Sequence, residues 1–173
     1  MSIRAVETEL PFDVQGSKAE PRGGERAIVR PAGEMTIVPS DLPTRWAEVP
    51  VKASEKLRHD SENYAVSRFA LMDGRKEKGL LSFETIVYRN HKAASDVLVK
   101  MLSRMSCLKL TRVALGDAGA MMEAAGKAGR RMKALAFVER NVYGLIMLSC
   151  DSDCNVSDSW LIGMGRIMVS RMH

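Results

Sequence analysis

Apolar and polar residues alternate in the middle of the chain with the period of two that β-strands require. Residues 64–72 and 80–88 form two such runs. The second run places four residues on one face: Leu81, Phe83, Thr85 and Val87. The connecting sequence DGRKEKG predicts an antiparallel hairpin with its turn at Asp73-Gly74, although this connection is longer than a two-residue turn.

A second hairpin is the clearest prediction of the sequence. Residues 131–139 and 142–150 form its strands, with a turn at Arg140-Asn141. The second strand, VYGLIMLSC, is almost wholly apolar. Such a composition is typical of a central strand that is covered on both faces.

The regions before and between these hairpins are less regular. Residues 27–29 and 35–38 predict two short strands among prolines, which confine them to edges and turns. Residues 108–115 predict another short strand. In residues 116–129 (GDAGAMMEAAGKAG), Ala, Met and Glu favour a helix but repeated Gly opposes it, so we expect a loop or a half-formed helix.

Two segments have the 3.6-residue period of amphipathic helices. Asn90 can cap the first, over residues 91–105, and Ser157 or Asp158 can cap the second, over residues 157–172. Residues 1–25 combine Gly, Pro and charges without a period, which predicts a flexible arm before one domain over residues 26–173. The order of elements predicts an α+β fold with an antiparallel sheet.

Composition excludes several classes of protein. Apolar residues make up 46% of the 173, yet no run approaches the roughly 20 that a membrane helix needs. The net charge of +5 invites a nucleic-acid interpretation, but only 5% of residues are aromatic and the basic clusters do not interleave with them. Weak contact with an acidic partner or an anionic membrane surface stays open.

The start of the chain does not identify a compartment. Residues 1–18 are acidic and mixed, unlike a secretory signal, so we expect a cytoplasmic protein if Met1 is the native start. A periplasmic or other extracytoplasmic placement is the alternative if a signal has been removed.

No motif spells out a reaction or a cofactor. The three histidines, at positions 59, 91 and 173, provide few bases for a nucleophile, and the spaced glycines lack the Gly-Lys-Ser or Gly-Lys-Thr ending of a phosphate loop. In CDSDCNVSDSW, three oxygen donors have calcium-loop spacing: Asp151, Asp153 and Asn155. Val156 and Ile162 occupy the glycine and glutamate positions of such a loop, so we predict no metal site. Because so few bases are available, we also predict that the chain is not an enzyme.

The sulfur-containing residues leave alternatives open. Cys150 and Cys154 are either a small disulfide or free thiols, with Cys150 buried at a strand end; the third cysteine, Cys107, is unassigned. Twelve methionines fill a core or line an apolar groove. We expect such a groove, if present, between the last helix and the sheet, lined by Met164, Met168 and Met172.

One segment resembles a known family. The sequence LPTRWAEVPV at residues 42–51, with the element order, resembles the superfamily of PsbP-like proteins, Ran-release factors and DcrB-like or LpqN-like proteins. The resemblance covers about residues 27–172 and implies an αβα sandwich. Independently of it, Trp46 is expected to close one end of the core, and Trp160 to be a structural aromatic residue of the last helix.

The resemblance implies a protein without catalytic activity. Members of that superfamily work mostly as adaptors, assembly factors or binding proteins, so we expect a protein-binding adaptor or assembly module. The alternative prediction is a carrier of a small apolar ligand or lipid in a methionine-lined pocket. These two functions differ in whether the partner is a protein or a small molecule.

Overall fold

The computed structural model describes residues 26–51 and 63–173. The predicted arm at residues 1–25 lies outside this range, so its flexibility stays a prediction. Within the described residues, no helix has the length and apolar character to cross a membrane.

Seven antiparallel strands form one sheet in the order β1-β2-β3-β7-β6-β5-β4. Their bounds are β1 Trp46–Val49, β2 Asn63–Asp73, β3 Lys76–Val87, β4 Lys109–Val113, β5 Ala118–Ala125, β6 Arg131–Glu139 and β7 Val142–Cys150. The apolar strand β7 is fourth of the seven, as its composition predicts. The α+β fold with an antiparallel sheet is confirmed.

Helices cover both faces of this sheet. Three α-helices are present in the described residues: α1 Ala32–Met35, α2 His91–Arg104 and α3 Asp158–Ser170. Short 3₁₀ turns lie at Pro39–Asp41 and Lys127–Gly129. Residues of α1 and α3 share the larger apolar core with one face, and α2 shares a smaller core with the other.

Side-chain caps define where the two long helices begin. The Asn90 carboxamide oxygen accepts a hydrogen bond from the Ala93 amide at 2.9 Å, as predicted. At α3, the Ser157 hydroxyl accepts from the Trp160 amide at 3.2 Å. Ser157 is therefore the cap, and Asp158 lies in the first turn, where its negative charge is favoured.

The hairpin of β6 and β7 has the predicted bounds and turn. Arg140 adopts a positive φ of 53° at this turn. The first hairpin, in contrast, is tighter than predicted. Strands β2 and β3 pair up to Asp73 and Lys76, which leaves a two-residue turn at Gly74-Arg75. A register shift at Leu71/Met72 and the positive φ of Gly74 make this tight turn possible.

The prediction of a loop or half-formed helix at residues 116–129 was wrong. These residues contain the full strand β5 at Ala118–Ala125. β5 pairs with β6 on one side and with β4 on the other. A Cβ at Gly119 would lie 3.0 Å from the Val113 carbonyl oxygen, so the absence of a side chain permits the close backbone approach. Buried Ala120 likewise leaves room for α2 against the sheet.

The two predicted short strands at residues 27–29 and 35–38 are absent. Ala32–Met35 is a helical turn instead, with Pro31 at its N-cap, and residues 27–29 have no regular structure. Met35 and Ile37 are fully buried. Burial in the core, rather than strand pairing, therefore accounts for the apolar residues of this segment.

Candidate functional site

The two tryptophans form one structural cluster. The rings of Trp46 and Trp160 stack with centroids 6.3 Å apart and planes 15° from parallel. Trp46 is only 5% exposed and joins the larger core, while Trp160 is partly buried against it. Both rings therefore belong to or pack against the larger core.

The cysteines of the CDSDCNVSDSW corner are free thiols in this structure. Cys150 is buried, as predicted, and its sulfur donates to the Cys154 carbonyl oxygen at 3.7 Å. Burial, followed by interaction with the Cys150 thiol, raises the pKa of the Cys154 thiol to about 12. Such a thiol is protonated at neutral pH and is a poor nucleophile.

The acidic residues of the same corner form ion pairs with strand β3 and with Arg130, which immediately precedes β6. Asp151 lies 3.1 Å from Arg130 Nε, and Asp153 lies 2.6 Å from Lys78 Nζ. These hydrogen bonds hold the pKa of both carboxyl groups below the usual value. In the part of the chain that is described, no three His, Cys, Asp or Glu side chains converge as a metal site would require.

The methionines proposed to line a groove are core residues. Met164, Met168 and Met172 are 8%, 0% and 3% exposed and belong to the core beneath α3. The structure thus places them in the core-filling role, without an open groove. Methionines with partial exposure instead lie on the α2 side, where Met101 and Met105 pack against the smaller core.

A serine, a histidine and an aspartate meet at the start of α2, which the sequence did not reveal. His91 Nδ1 donates to the Arg140 carbonyl oxygen at 2.8 Å and lies 3.7 Å from Asp117, so Nε2 can accept from Ser95 at 3.2 Å. The His91 and Asp117 side chains are 57% and 42% exposed. These contacts fasten α2 to the β6–β7 turn.

Strand β4 is an edge strand and the strongest candidate for a docking site. It pairs with β5 alone, and no other described strand covers its outer side. An edge strand presents N–H and C=O groups that can pair with another chain. Leu108, immediately before β4, is 80% exposed, which is unusual for a large apolar residue in this fold.

A cavity of about 280 Å³ opens between β4 and α3. Mainly apolar groups line it, including Val113, Met121 and Ile162. Thr111 and Val113 pair with residues of β5 on the α3 side of the sheet, where Met121 belongs to the larger core. Exposed Ala114 and Arg166 lie at the same cavity.

Positive charge surrounds this edge. Lys109, Arg112 and Arg166 are exposed, and no ion pair joins them to another described residue, although Glu123 of β5 lies opposite Lys109 in the strand pairing. The acidic Asp158 beside the cavity is already paired with Lys133 of β6. The edge therefore has unbalanced positive charge beside an apolar cavity.

The second cavity, of about 340 Å³, lies on the other side of Asp158. It is bordered by the cysteine corner and by Arg131 and Lys133 of β6, and its lining is more polar. The sequence had drawn attention to this corner, but the edge at β4 was not predicted. Recognising it required the strand at residues 118–125 that separates β4 from the rest of the sheet.

Comparison with known proteins found no relative: no family model, curated sequence or solved structure matches the chain significantly. The PsbP-like resemblance therefore stays a prediction. The candidate site depends on the geometry of the chain itself.

Proposed function

We propose that this chain is a non-enzymatic protein-binding adaptor or assembly module that binds an extended, acidic segment of another protein along β4. One observation carries the proposal: β4 is an edge strand whose outer side is bordered by unpaired basic residues and exposed Leu108. Strand addition at such an edge derives affinity from main-chain hydrogen bonds. The basic residues favour an acidic partner and steer its approach.

A second copy of the chain is a less suitable occupant of this edge. Antiparallel pairing of two β4 strands would bring Lys109 and Arg112 of one copy close to the same residues of the other. Like charges near one another across strands are destabilising. An acidic segment instead neutralises these side chains, and this difference decides between the two occupants.

The carrier function has less support. The methionines expected to line its pocket are buried, and the two described cavities, of about 280 and 340 Å³, are only near the lower end of the roughly 300–1,000 Å³ typical of small-molecule sites. A cavity of that size beside a strand edge is better suited to a side chain of an added strand. No described feature favours a lipid over a peptide.

Site-specific photo-cross-linking in cells that naturally produce the chain tests the proposal. The photoreactive residue p-benzoylphenylalanine replaces Thr111 in β4 and, as the matched control, Arg75 in the distant β2–β3 turn; both positions are exposed. We expect an adduct at position 111 that maps to an acidic, extended segment and weakens with added salt. No adduct at position 111, or the same adducts at both positions, would contradict the proposal.

A further inference from the structure

The cavity beside β4 has the position of a side-chain pocket for an added strand. Side chains alternate between the two faces of a sheet, so every second residue of a strand placed beside β4 would project toward α3. Thr111 and Val113 mark that face on β4, and both border the cavity. A residue of the partner on this face would meet Met121 and Ile162.

The chemistry of the pocket selects the side chain. Its lining is mainly apolar, and its volume of about 280 Å³ leaves room for one aliphatic or aromatic group. Burial of such a group removes apolar surface from water, whereas a polar group would lose hydrogen bonds to water without replacement. The pocket therefore favours an apolar residue at one position of the partner.

The charged residues near the pocket determine which side chains the partner should have next to its apolar residue. Arg166 of α3 lies at the cavity, on the α3 face of the sheet. Arg112 of β4 borders the cavity too, but it lies between Thr111 and Val113 and pairs with Ala120, so its side chain projects to the α2 face. Asp158, the acidic residue at the cavity, is paired with Lys133, which leaves the arginines without a carboxylate among the described residues. Carboxylates on the partner would supply charge-assisted hydrogen bonds to these guanidinium groups.

We infer that the cavity between β4 and α3 is a specificity pocket that binds one apolar side chain of an added strand. Arg112, on the opposite face of the sheet, binds a carboxylate of the adjacent partner residue, and Arg166 binds a carboxylate two residues away on the cavity face. This inference rests on the proposed function and deepens it, because it states which sequences the edge selects. The recognised class is an extended segment in which acidic residues flank a single apolar residue.

Short fluorescein-labelled peptides test this inference on the full chain. Their end-blocked sequences contain Thr, which favours the extended conformation, and a central Leu or Ser with two Glu or two Lys on each side, so that a charge faces each side of the sheet. We expect the peptide with Leu and Glu to bind most tightly in fluorescence polarisation. Replacing Leu by Ser, or Glu by Lys, should each weaken binding about tenfold.

Matched variants assign these preferences to the pocket. Ala114→Trp fills the cavity from its exposed rim and should abolish the preference for Leu, whereas Ala118→Trp, an exposed position outside the cavity, should retain it. Arg112→Glu combined with Arg166→Glu should abolish the preference for Glu, and Arg75→Glu should not. Circular dichroism and thermal melting of each variant verify the fold.

Hydrogen exchange separates this inference from the proposed function. Slower exchange of the β4 amides on peptide binding supports strand addition. If β4 is protected by every peptide equally, or if Ala114→Trp leaves the preference for Leu unchanged, the pocket is overturned while the docking edge stands. If no peptide protects β4, the proposed docking mode is overturned as well.

Discussion

The side chain of Asn141 holds the backbone of Ile28 by two hydrogen bonds. The Ile28 amide donates to Oδ1 at 2.6 Å, and Nδ2 donates to the Ile28 carbonyl oxygen at 2.9 Å and to the Tyr88 carbonyl oxygen at 2.7 Å. Asn141 is 3% exposed. One turn residue thus connects the start of the described chain to the end of β3, in place of the short strand predicted there.

Asn141→Ala should destabilise the fold by about 2–4 kcal/mol, because it leaves buried backbone groups without partners. Urea denaturation measures the change in the free energy of unfolding. Asn155→Ala, at an exposed position, is the control and should stay within about 0.5 kcal/mol of the parent. Equal effects of the two substitutions would contradict the role assigned to Asn141.

Two glycines should respond in opposite directions to alanine. A Cβ at Gly144 in β7 would lie 2.2 Å from Phe137 Cζ, so Gly144→Ala should cost about 1–3 kcal/mol. Gly163 in α3 has no atom within 4 Å of the new Cβ, so Gly163→Ala should stabilise the protein by about 0.5–1 kcal/mol. Thermal melting of both variants checks the prediction, and a lower melting temperature for Gly163→Ala would contradict it.

The ion pair between Asp41 and Arg171 should make stability depend on acidic pH. Burial alone would raise the pKa of Asp41, but hydrogen bonds from Arg171 at 2.7 and 2.8 Å and from the Val38 amide lower it below its usual value. A carboxyl group with a lowered folded-state pKa stabilises the fold above its unfolded pKa. That contribution disappears as the pH falls through the folded-state value.

Asp41→Asn should therefore be less stable than the parent at pH 7, and the difference should shrink below about pH 4. Urea denaturation over a pH series measures both proteins. Asp73→Asn, at an exposed carboxyl group, is a matched control that should change stability little at any pH. A difference between parent and Asp41→Asn that is constant down to pH 2 would contradict the assignment.

The Cys154 thiol should react slowly in the folded protein, because burial and the neighbouring Cys150 raise its pKa to about 12. At pH 8, we expect its alkylation by iodoacetamide, followed by mass spectrometry, to be at least about tenfold slower than in the denatured chain. Equal rates would contradict the environment described for this thiol.

Titration of untreated, denatured protein should detect three thiols, and a count of one would instead establish a disulfide.

Removal of residues 1–25 should shift the melting temperature by less than about 2 °C if the predicted domain begins at residue 26. The predicted arm contributes no core in that case. Circular dichroism and thermal scanning compare the shortened chain with the full chain. A larger loss of stability would show that the domain includes part of residues 1–25.

Local patterns predicted much of the sheet but little of the candidate site. The β6–β7 hairpin was predictable because a polar turn separates two apolar runs that pair with each other. Strand β5 was not, because its Ala, Gly and Met residues have weak strand preference and its pairing partners lie on both sides in space. Without β5, β4 could be predicted as a strand but not as the edge of the sheet.

The sequence by itself determined the α+β class, the central strand and the cap at Asn90, and it narrowed the cap of the last helix to Ser157 or Asp158. These properties follow from local periodicity and from residue types at fixed spacing. Only the tertiary structure decided that Met164, Met168 and Met172 are buried and that an apolar cavity opens beside β4. Burial and edge position depend on which elements meet in space, and local sequence does not specify those long-range contacts.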